Sequence, residues 1–404
     1  MASPFRAALI PLPTFCLRGV LSSLIIALGL FGCTSAREPY SRDDARGAEI
    51  PGFANVRKPL DGEVGLFAKK RVPRTPSPLR HKYLAISGGG AGGAFSVGAL
   101  KAWSQRGDRP TFDVVSGVST GALIAPFAFL GPDYDDTLEH LYTSGVAEDL
   151  LQRRPIISGL LGESLYYQKP LMNMVEQHVT QEVLDRIAVE YRKGRDLFVL
   201  TTNLDTQRGM LWDMGAIAAS SRPDALNLFR NVLVASASIP GAFPAVKIIA
   251  TIDGRTISEL HSDGAPSSQI VTVPEAMLSD TNVSLPAVIR GADMYFLINN
   301  TLMPEFSVTS NSTVPVVTRA YASLVKSQTR QSLYAAYEYC RRTRVNFHMA
   351  VIDAPVPYNF SQPFGNVYMR AVFKIGYDRM EQGRIWRQKP IFTPGVPQAL
   401  SGAR

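Results

Sequence analysis

The chain has 404 residues, of which 46% are hydrophobic, and a formal net charge of +8. This apolar fraction can fill one large core and excludes a mainly disordered chain. Three cysteines, Cys16, Cys33 and Cys340, are too few for a disulfide framework, so core packing must stabilise the domain.

The amino terminus has the pattern of a secretory signal peptide, predicted over residues 1–32. Arg6 and Arg18 precede an apolar run, residues 19–32, that is too short for a comfortable membrane span. The following Cys33 ends the sequence Leu-Phe-Gly-Cys, which resembles a bacterial lipobox and implies that Cys33 is lipidated and begins the mature chain. Thr34 resembles the pattern for sorting to the outer membrane, so we expect a lipid-anchored envelope protein facing the periplasm. Ordinary signal-peptide cleavage and an uncleaved anchor are the alternatives.

Residues 33–79 are predicted to form a flexible, basic tether, because they are rich in charge, proline and glycine and have few periodic apolar positions. Basic clusters at 69–71 and 80–82 suit an anionic membrane surface, although a solvated linker explains them equally simply. No motif supports nucleic-acid binding, so we expect no nucleic-acid partner.

The first glycine-rich loop, residues 88–93, lies between a predicted buried strand, 83–87, and a predicted helix, 94–103. In such a loop the N–H groups of Gly88, Gly89 and Gly90 point toward the helix start, where developing negative charge is favoured. The loop, which ends at Gly93, also matches the dinucleotide fingerprint G-x-G-x-x-G. That fingerprint requires an acidic residue at the carboxyl end of the second strand, whereas Asp113 lies at the start of that strand. The position of Asp113 therefore disfavours dinucleotide binding.

A second glycine-framed loop follows at residues 117–121, with the sequence Gly-Val-Ser-Thr-Gly. The G-x-S-x-G pattern is typical of a nucleophile elbow, in which Gly117 and Gly121 allow Ser119 to sit on a sharp turn between a strand and a helix. The preceding apolar residues 112–116 and the following apolar residues 122–130 supply that strand and helix. Ser119 is therefore predicted to be exposed at the end of a sheet.

The sequence offers two kinds of base for Ser119. The pair Asp253-Gly254 between two strand-like runs predicts a hairpin that delivers Asp263 at the end of its second strand, followed by Gly264 and Ala265. The plainer interpretation is that Asp263 is an ordinary turn aspartate followed by a permissive glycine, with no role as a base. The alternative base is His348, as expected for a Ser-His-Asp esterase, although it lies on one face of a predicted strand where a structural histidine is common.

The remaining pattern is a coarse alternation of helices and strands. Helices are predicted over 170–191, 227–236, 317–339 and near 372–385, and strands over 196–201, 294–298 and around His348. Parallel strands joined by helices place a site at their carboxyl ends. We expect one α/β domain over residues 80–395 and a tail over 396–404.

Three of these motifs occur together in the order found in patatin-like phospholipases. The glycine loop at 88–93, the elbow at 117–121 and Asp263-Gly264-Ala265 resemble the family's signature motifs, and residues 201–206 and 235–244 resemble other family segments. The resemblance covers roughly residues 80–300 and implies a three-layer α/β/α fold with a mainly parallel central sheet. It implies that Ser119 is the nucleophile, Asp263 the proton acceptor, and the backbone of Gly88 to Gly90 the oxyanion hole.

The resemblance also implies a function, with two departures from the family pattern. Gly92 stands where members often carry a basic residue, and Pro266-Ser267-Ser268-Gln269 replaces an asparagine and proline, which weakens the expectation of phosphate contacts more than that of acyl chemistry. We expect a bacterial lipoprotein-type member that hydrolyses carboxylic esters of membrane lipids through an acyl-enzyme, without metal or organic cofactor. A non-catalytic lipid-binding envelope lipoprotein with the same fold is a further alternative.

Overall fold

The computed structural model of the protein describes residues 37–62, 81–152, 164–272, 291–306, 308–358 and 362–392. The predicted signal peptide, Cys33 and the predicted tail lie outside the described residues. The predicted boundaries of the catalytic domain, 80 and 395, also lie outside them and stay predictions.

The described residues form a nine-stranded mixed sheet in which five adjacent strands are parallel. In chain order the strands are β1 Arg57–Pro59, β2 Lys82–Ile86, β3 Val114–Val118, β4 Asp196–Asn203, β5 Arg208–Asp213, β6 Val246–Ile252, β7 Arg255–Asp263, β8 Asp293–Ile298 and β9 Asn346–Val351. Their spatial order is β1-β5-β4-β3-β2-β8-β9, and the β6–β7 hairpin joins through β7 to β4. Strands β4, β3, β2, β8 and β9 are the parallel ones, and β5 and β1 extend the sheet antiparallel.

Helices cover both faces of the sheet. They are α1 Arg42–Gly47, α2 Gly93–Gln105, α3 Thr120–Leu130, α4 Asp135–Thr143, α5 Lys169–His178, α6 Gln181–Arg192, α7 Met214–Ala219, α8 Ala225–Ser236, α9 Thr313–Thr343 and α10 Asn366–Glu381. Leu84 and Ile86 of β2 pack into a large core with α2, α3, α8 and α10, whereas Ala85 between them packs into a second core with the carboxyl half of α9. Alternate residues of a strand face opposite sides, so the arrangement is three-layered, as expected from the sequence.

The strand-loop-helix units predicted around both glycine loops are present. Strand β2 leads through the first loop into α2, and the parallel strand β3 leads through the elbow into α3. Both loops therefore lie at the carboxyl edge of the sheet, where an open α/β sheet forms its binding crevice. The predicted hairpin is also present, with Ile252 opposite Arg255 at its tip.

The structure differs from the predicted flexible tether at residues 37–62. Ile50, Phe53 and Val56 are buried in the large core, β1 pairs with β5, and Arg37 forms a bidentate ion pair with Asp205. These three apolar residues lie in a short stretch of proline- and glycine-containing sequence, so they give no extended periodic signal, although they are buried as well as those of a longer element. The rest of the predicted tether lies outside the described residues.

Other elements also differ from the sequence-based expectations. The helix predicted over 170–191 is two helices, α5 and α6, because Thr180 caps a new helix by accepting a hydrogen bond from the Val183 N–H. Strand β5 and helix α7 were not predicted. The last helix, α10, is Asn366–Glu381, so each of its ends lies several residues before the corresponding end of the predicted range, 372–385.

Candidate active site

Ser119 has the backbone conformation of a strained elbow. Its φ of 57° and ψ of −125° lie in a region that side-chain-bearing residues rarely adopt. A Cβ atom on Gly117 would lie 2.3 Å from the carbonyl oxygen of Gly121, and one on Gly121 would lie 2.3 Å from that of Ile86. Glycine is required at both positions because the turn is so tight, which agrees with the interpretation of G-x-S-x-G as an elbow.

Strand β4 brings Asp263 to the elbow. Strand β3 pairs along β4 as far as Val118 opposite Leu200, and β7 pairs along the same edge of β4 starting with Asp263 opposite Thr201. The end of β3 and the end of β7 therefore meet on one side of β4. Ser119 and Asp263 become neighbours although 144 residues separate them in sequence.

The two side chains are in direct contact and buried, which corrects the expectation that Ser119 is exposed. The hydroxyl of Ser119 donates a hydrogen bond to Asp263 Oδ2 at 2.5 Å, and the Ala265 N–H donates to Asp263 Oδ1 at 2.8 Å. The backbone N–H of Asp263 donates to the Ser238 carbonyl at 2.9 Å. Burial raises the pKa of Asp263 to about 7, although the hydrogen bonds from Ser119 and Ala265 act in the opposite direction.

The glycine loop is only partly available for binding an oxyanion. The Gly88 N–H donates to the Gln269 carbonyl at 3.0 Å, and the Gly93 N–H points to the carbonyls of Gly90 and Ala91. Neither group is free, which corrects the expectation for Gly88. Gly89 and Gly90 have φ values of 153° and 53°, and Gly90 lines the same cavity as Ser119. Gly90 is therefore the loop glycine that lies beside Ser119 at this cavity.

Several supporting residues were not singled out from the sequence. Ser236 of α8 accepts a hydrogen bond from the Ser119 N–H at 3.0 Å and donates one to the Leu200 carbonyl at 2.7 Å. Asn299, just after β8, donates its side-chain N–H to the Ser87 carbonyl at 2.8 Å. Asn299 could have been found, because it follows a predicted buried strand and must lie at the same edge as the elbow.

An apolar cavity adjoins Ser119. Its volume is about 60 Å³, and it lies among α3, α4, α5, α8 and α10. Most of its lining is aliphatic or aromatic, including Leu123, Phe127, Leu171, Val175, Leu233 and Met369. An apolar cavity of roughly 150 Å³ holds benzene in another protein. The cavity beside Ser119 is smaller, so it holds no more than a short segment of an acyl chain unless its walls move.

His348 does not take part in this constellation. Its Nε2 lies 3.1 Å from Asp293 Oδ1 and its Nδ1 lies 3.0 Å from the Gln388 side-chain amide, and its ring stacks on Tyr295. These contacts hold it in the middle of β9, whereas Ser119 lies beyond the end of β3. The contacts of His348 are structural, and they do not favour the Ser-His-Asp alternative.

Comparison with known proteins finds a match to one family model. Residues 84–274 match the family model described as patatin-like phospholipase. No curated protein matches the chain significantly. Within the described ranges, every helix is too short or too polar to cross a membrane.

Two solved structures are similar at low sequence identity. VipD from Legionella pneumophila is 13% identical, and the match covers 76% of this chain and 67% of that one with a TM-score of 0.39. The type III effector protein ExoU is 14% identical, and the match covers 78% of this chain and 56% of that one with a TM-score of 0.28. The family match includes both glycine loops and Asp263-Gly264-Ala265. Residues 84–274 are therefore similar to patatin-like phospholipases, a family of lipid acyl hydrolases, and the described fold is the patatin fold.

Proposed function

We propose that the chain is a lipid acyl hydrolase that uses Ser119 as nucleophile and Asp263 as proton acceptor. The observation that carries the proposal is the direct hydrogen bond of 2.5 Å between the two side chains beside an apolar cavity. The raised pKa of Asp263 supports it, because a carboxylate with a pKa of about 7 is a better base at neutral pH than an ordinary aspartate.

In the first half of the reaction, the Ser119 hydroxyl oxygen attacks the carbonyl carbon of the ester while its proton passes to Asp263 Oδ2. The carbonyl oxygen becomes an oxyanion, which we assign to the N–H groups of Gly89 and Gly90. Collapse of the tetrahedral species breaks the bond to the alcohol, which leaves with the proton from Asp263.

In the second half, water replaces the alcohol. Asp263 takes a proton from a water molecule as the water oxygen attacks the carbonyl carbon of the acyl-Ser119 ester. The same backbone donors stabilise the second oxyanion. Release of the carboxylic acid returns the proton to Ser119 and regenerates the dyad. Asp263 carries every proton transfer in this scheme, and the backbone N–H groups act only as hydrogen-bond donors to the oxyanion.

The proposed substrate is an acyl ester of a membrane lipid. The apolar cavity beside Ser119 supports this, because its lining suits a hydrocarbon chain. From the sequence alone we also propose that Cys33 carries a lipid that anchors the protein in the bacterial envelope, on the periplasmic side of the outer membrane. The partners would then be the membrane surface and its lipids.

The test is hydrolysis of short- and long-chain acyl esters by the purified protein, beside the variants Ser119→Ala, Asp263→Asn and His348→Ala. We expect the first two to lose at least about a thousandfold in kcat/KM, since each removes one half of a unit that acts together. The variant His348→Ala should retain its activity within about threefold, as expected for a structural residue. Active Ser119→Ala or Asp263→Asn protein would refute the dyad, and inactive but folded His348→Ala protein would favour the triad. A folded parent that neither hydrolyses esters nor reacts with a fluorophosphonate would favour the non-catalytic alternative.

A further inference from the structure

The amino half of the long helix α9 and the loop before it expose large apolar side chains. Phe306 is 97% exposed and Val308 is 86% exposed, and on the helix Leu324 is 68% exposed. The other members of this group are Val316, Val317 and Tyr321. We call these six residues the α9 face. Isolated exposed apolar residues are ordinary, but six within nineteen positions of the chain are a local concentration of the kind that marks an interaction site.

The spacing shows that this exposure is a property of one face of the helix. Val317, Tyr321 and Leu324 are separated by four and three positions, so they lie along one side of α9. The carboxyl half of the same helix is ordinary core, because Leu333, Ala336 and Tyr339 are buried against β8 and β9. Helix α9 is therefore anchored at one end and presents an uncovered apolar side at the other.

The α9 face adjoins the catalytic dyad. Gln328, one turn beyond Leu324, donates a hydrogen bond to the Ser267 carbonyl at 3.0 Å. Ser267 belongs to the turn that starts at Asp263, and its N–H donates to the Gly264 carbonyl. Tyr321 is 39% exposed, and partial burial together with the charge of Asp263 raises the pKa of its phenol above the usual value, in agreement with this proximity.

The charges around the face are mostly positive. Between residues 299 and 330 the chain carries Arg319, Lys326 and Arg330, and its acidic residue there is Glu305. Glu305 pairs with Lys326 at 2.8 Å, and its backbone carbonyl accepts a hydrogen bond from Arg319. Two positive charges remain in excess. These three basic positions lie on the side of α9 opposite Val317, Tyr321 and Leu324. A helix with an exposed apolar side and a basic opposite side is typical of segments that lie in the headgroup region of an anionic bilayer.

We propose that the α9 face docks onto an anionic lipid bilayer, with Phe306 and Leu324 inserted among the acyl chains. This docking rests on the proposed function, since it delivers lipid esters to the edge of the sheet that carries Ser119 and Asp263. It is distinct from the proposed lipid on Cys33, because it fixes which surface of the domain meets the membrane.

The test places an environment-sensitive fluorophore on Phe306→Cys in the full chain, with Cys16→Ser, Cys33→Ser and Ser119→Ala in the background. The remaining Cys340 is buried and does not compete for the label. The matched control is Val189→Cys on α6, another exposed apolar position. With vesicles of equal parts phosphatidylcholine and phosphatidylglycerol, we expect a blue shift and protection from an aqueous quencher at position 306 and neither at position 189.

The proposal is overturned if the label at 306 keeps its aqueous spectrum in the presence of these vesicles. It is also overturned if the shift appears without vesicles and grows with protein concentration, because a second copy would then cover the face.

In the Cys33→Ser chain with Ser119 intact, Phe306→Ser with Leu324→Ser should reduce hydrolysis of vesicle lipid by about tenfold or more. Hydrolysis of a soluble butyrate ester should be unchanged, and equal losses on both substrates would contradict docking. A vesicle-dependent shift in a chain that hydrolyses neither substrate would support docking and refute the hydrolase.

Discussion

A Cβ atom on Gly92 would lie 1.9 Å from the backbone carbonyl oxygen of Asn299, so the two backbones are in contact. Asn299 is fixed there by hydrogen bonds to Ser87, at 2.9 Å from its N–H and 2.8 Å from its side chain, and by one from the Ser96 hydroxyl at 2.5 Å. Patatin-like proteins often carry a basic residue at the position of Gly92. In this chain the segment after β8 occupies the space that such a side chain would need.

We therefore expect Gly92→Arg to destabilise the protein instead of restoring a phosphate contact. The added side chain must displace backbone, which places the variant in the class that loses more than about 3 kcal/mol of unfolding free energy. Chemical denaturation measures this loss. The control Val189→Arg adds the same side chain at an exposed helical position and should change stability by less than about 0.5 kcal/mol. A Gly92→Arg protein of normal stability and higher phospholipid turnover would contradict the steric argument.

The raised pKa of Asp263 predicts how activity depends on pH. The proton acceptor must be ionised, so kcat/KM for a soluble ester should rise about tenfold per pH unit below pH 7 and level off above it. The measurement is a pH–rate profile with an uncharged ester, whose own ionisation cannot contribute. A profile that is flat between pH 5 and 8 would show that Asp263 does not act as the base in this range.

The same shift predicts that Asp263 lowers stability as the pH rises. The folded chain keeps this proton up to about pH 7, whereas the unfolded chain releases it near the ordinary value of 3.8. Between these values the folded state binds more protons, so its stability falls with increasing pH. Asp263→Asn removes this dependence, and its stability relative to the parent should improve by about 2 to 3 kcal/mol between pH 5 and pH 8. Urea denaturation at the two pH values measures the change, and an equal difference at both would contradict the shift.

Ser236 is expected to position the nucleophile without touching the substrate. It connects the Ser119 N–H to the Leu200 carbonyl, so Ser236→Ala leaves a buried donor unpaired at a strained turn. We expect a loss of about 1 to 3 kcal/mol in stability and a fall in kcat with little change in KM. Ser236→Thr keeps a hydroxyl and should recover part of kcat. Loss of stability with a normal kcat in the folded fraction would show that the role of Ser236 is structural alone.

Local patterns were sufficient to predict the elements that carry the site. The glycines around Ser119 and the Asp253-Gly254 hairpin are short-range devices, because each depends on a few consecutive residues and their steric limits. Strands β2 and β3 were predicted for the same reason, as brief apolar runs beside glycine. Helices α5 and α6 were merged in the prediction, since the cap at Thr180 gives a weaker signal than the apolar periodicity that continues across it.

Long-range pairing decided the rest. The burial of residues 37–62 depends on β5 and on Asp205, which lie far away in the sequence, and no local pattern encodes those partners. The hydrogen bond from the Gly88 N–H to the Gln269 carbonyl likewise depends on how two distant loops pack.

The sequence by itself determined the elbow, the glycine loop, the aspartate at a strand end and the resemblance to a family, because each is written in adjacent residues. Only the tertiary structure decided that Ser119 meets Asp263 and that His348 does not meet Ser119. Both outcomes depend on the register of β7 and β9 in the sheet, and strand register is set by contacts between distant segments. The burial that raises the pKa of Asp263 is also a property of the assembled fold, since it requires β4, β7 and α8 to close around one carboxylate.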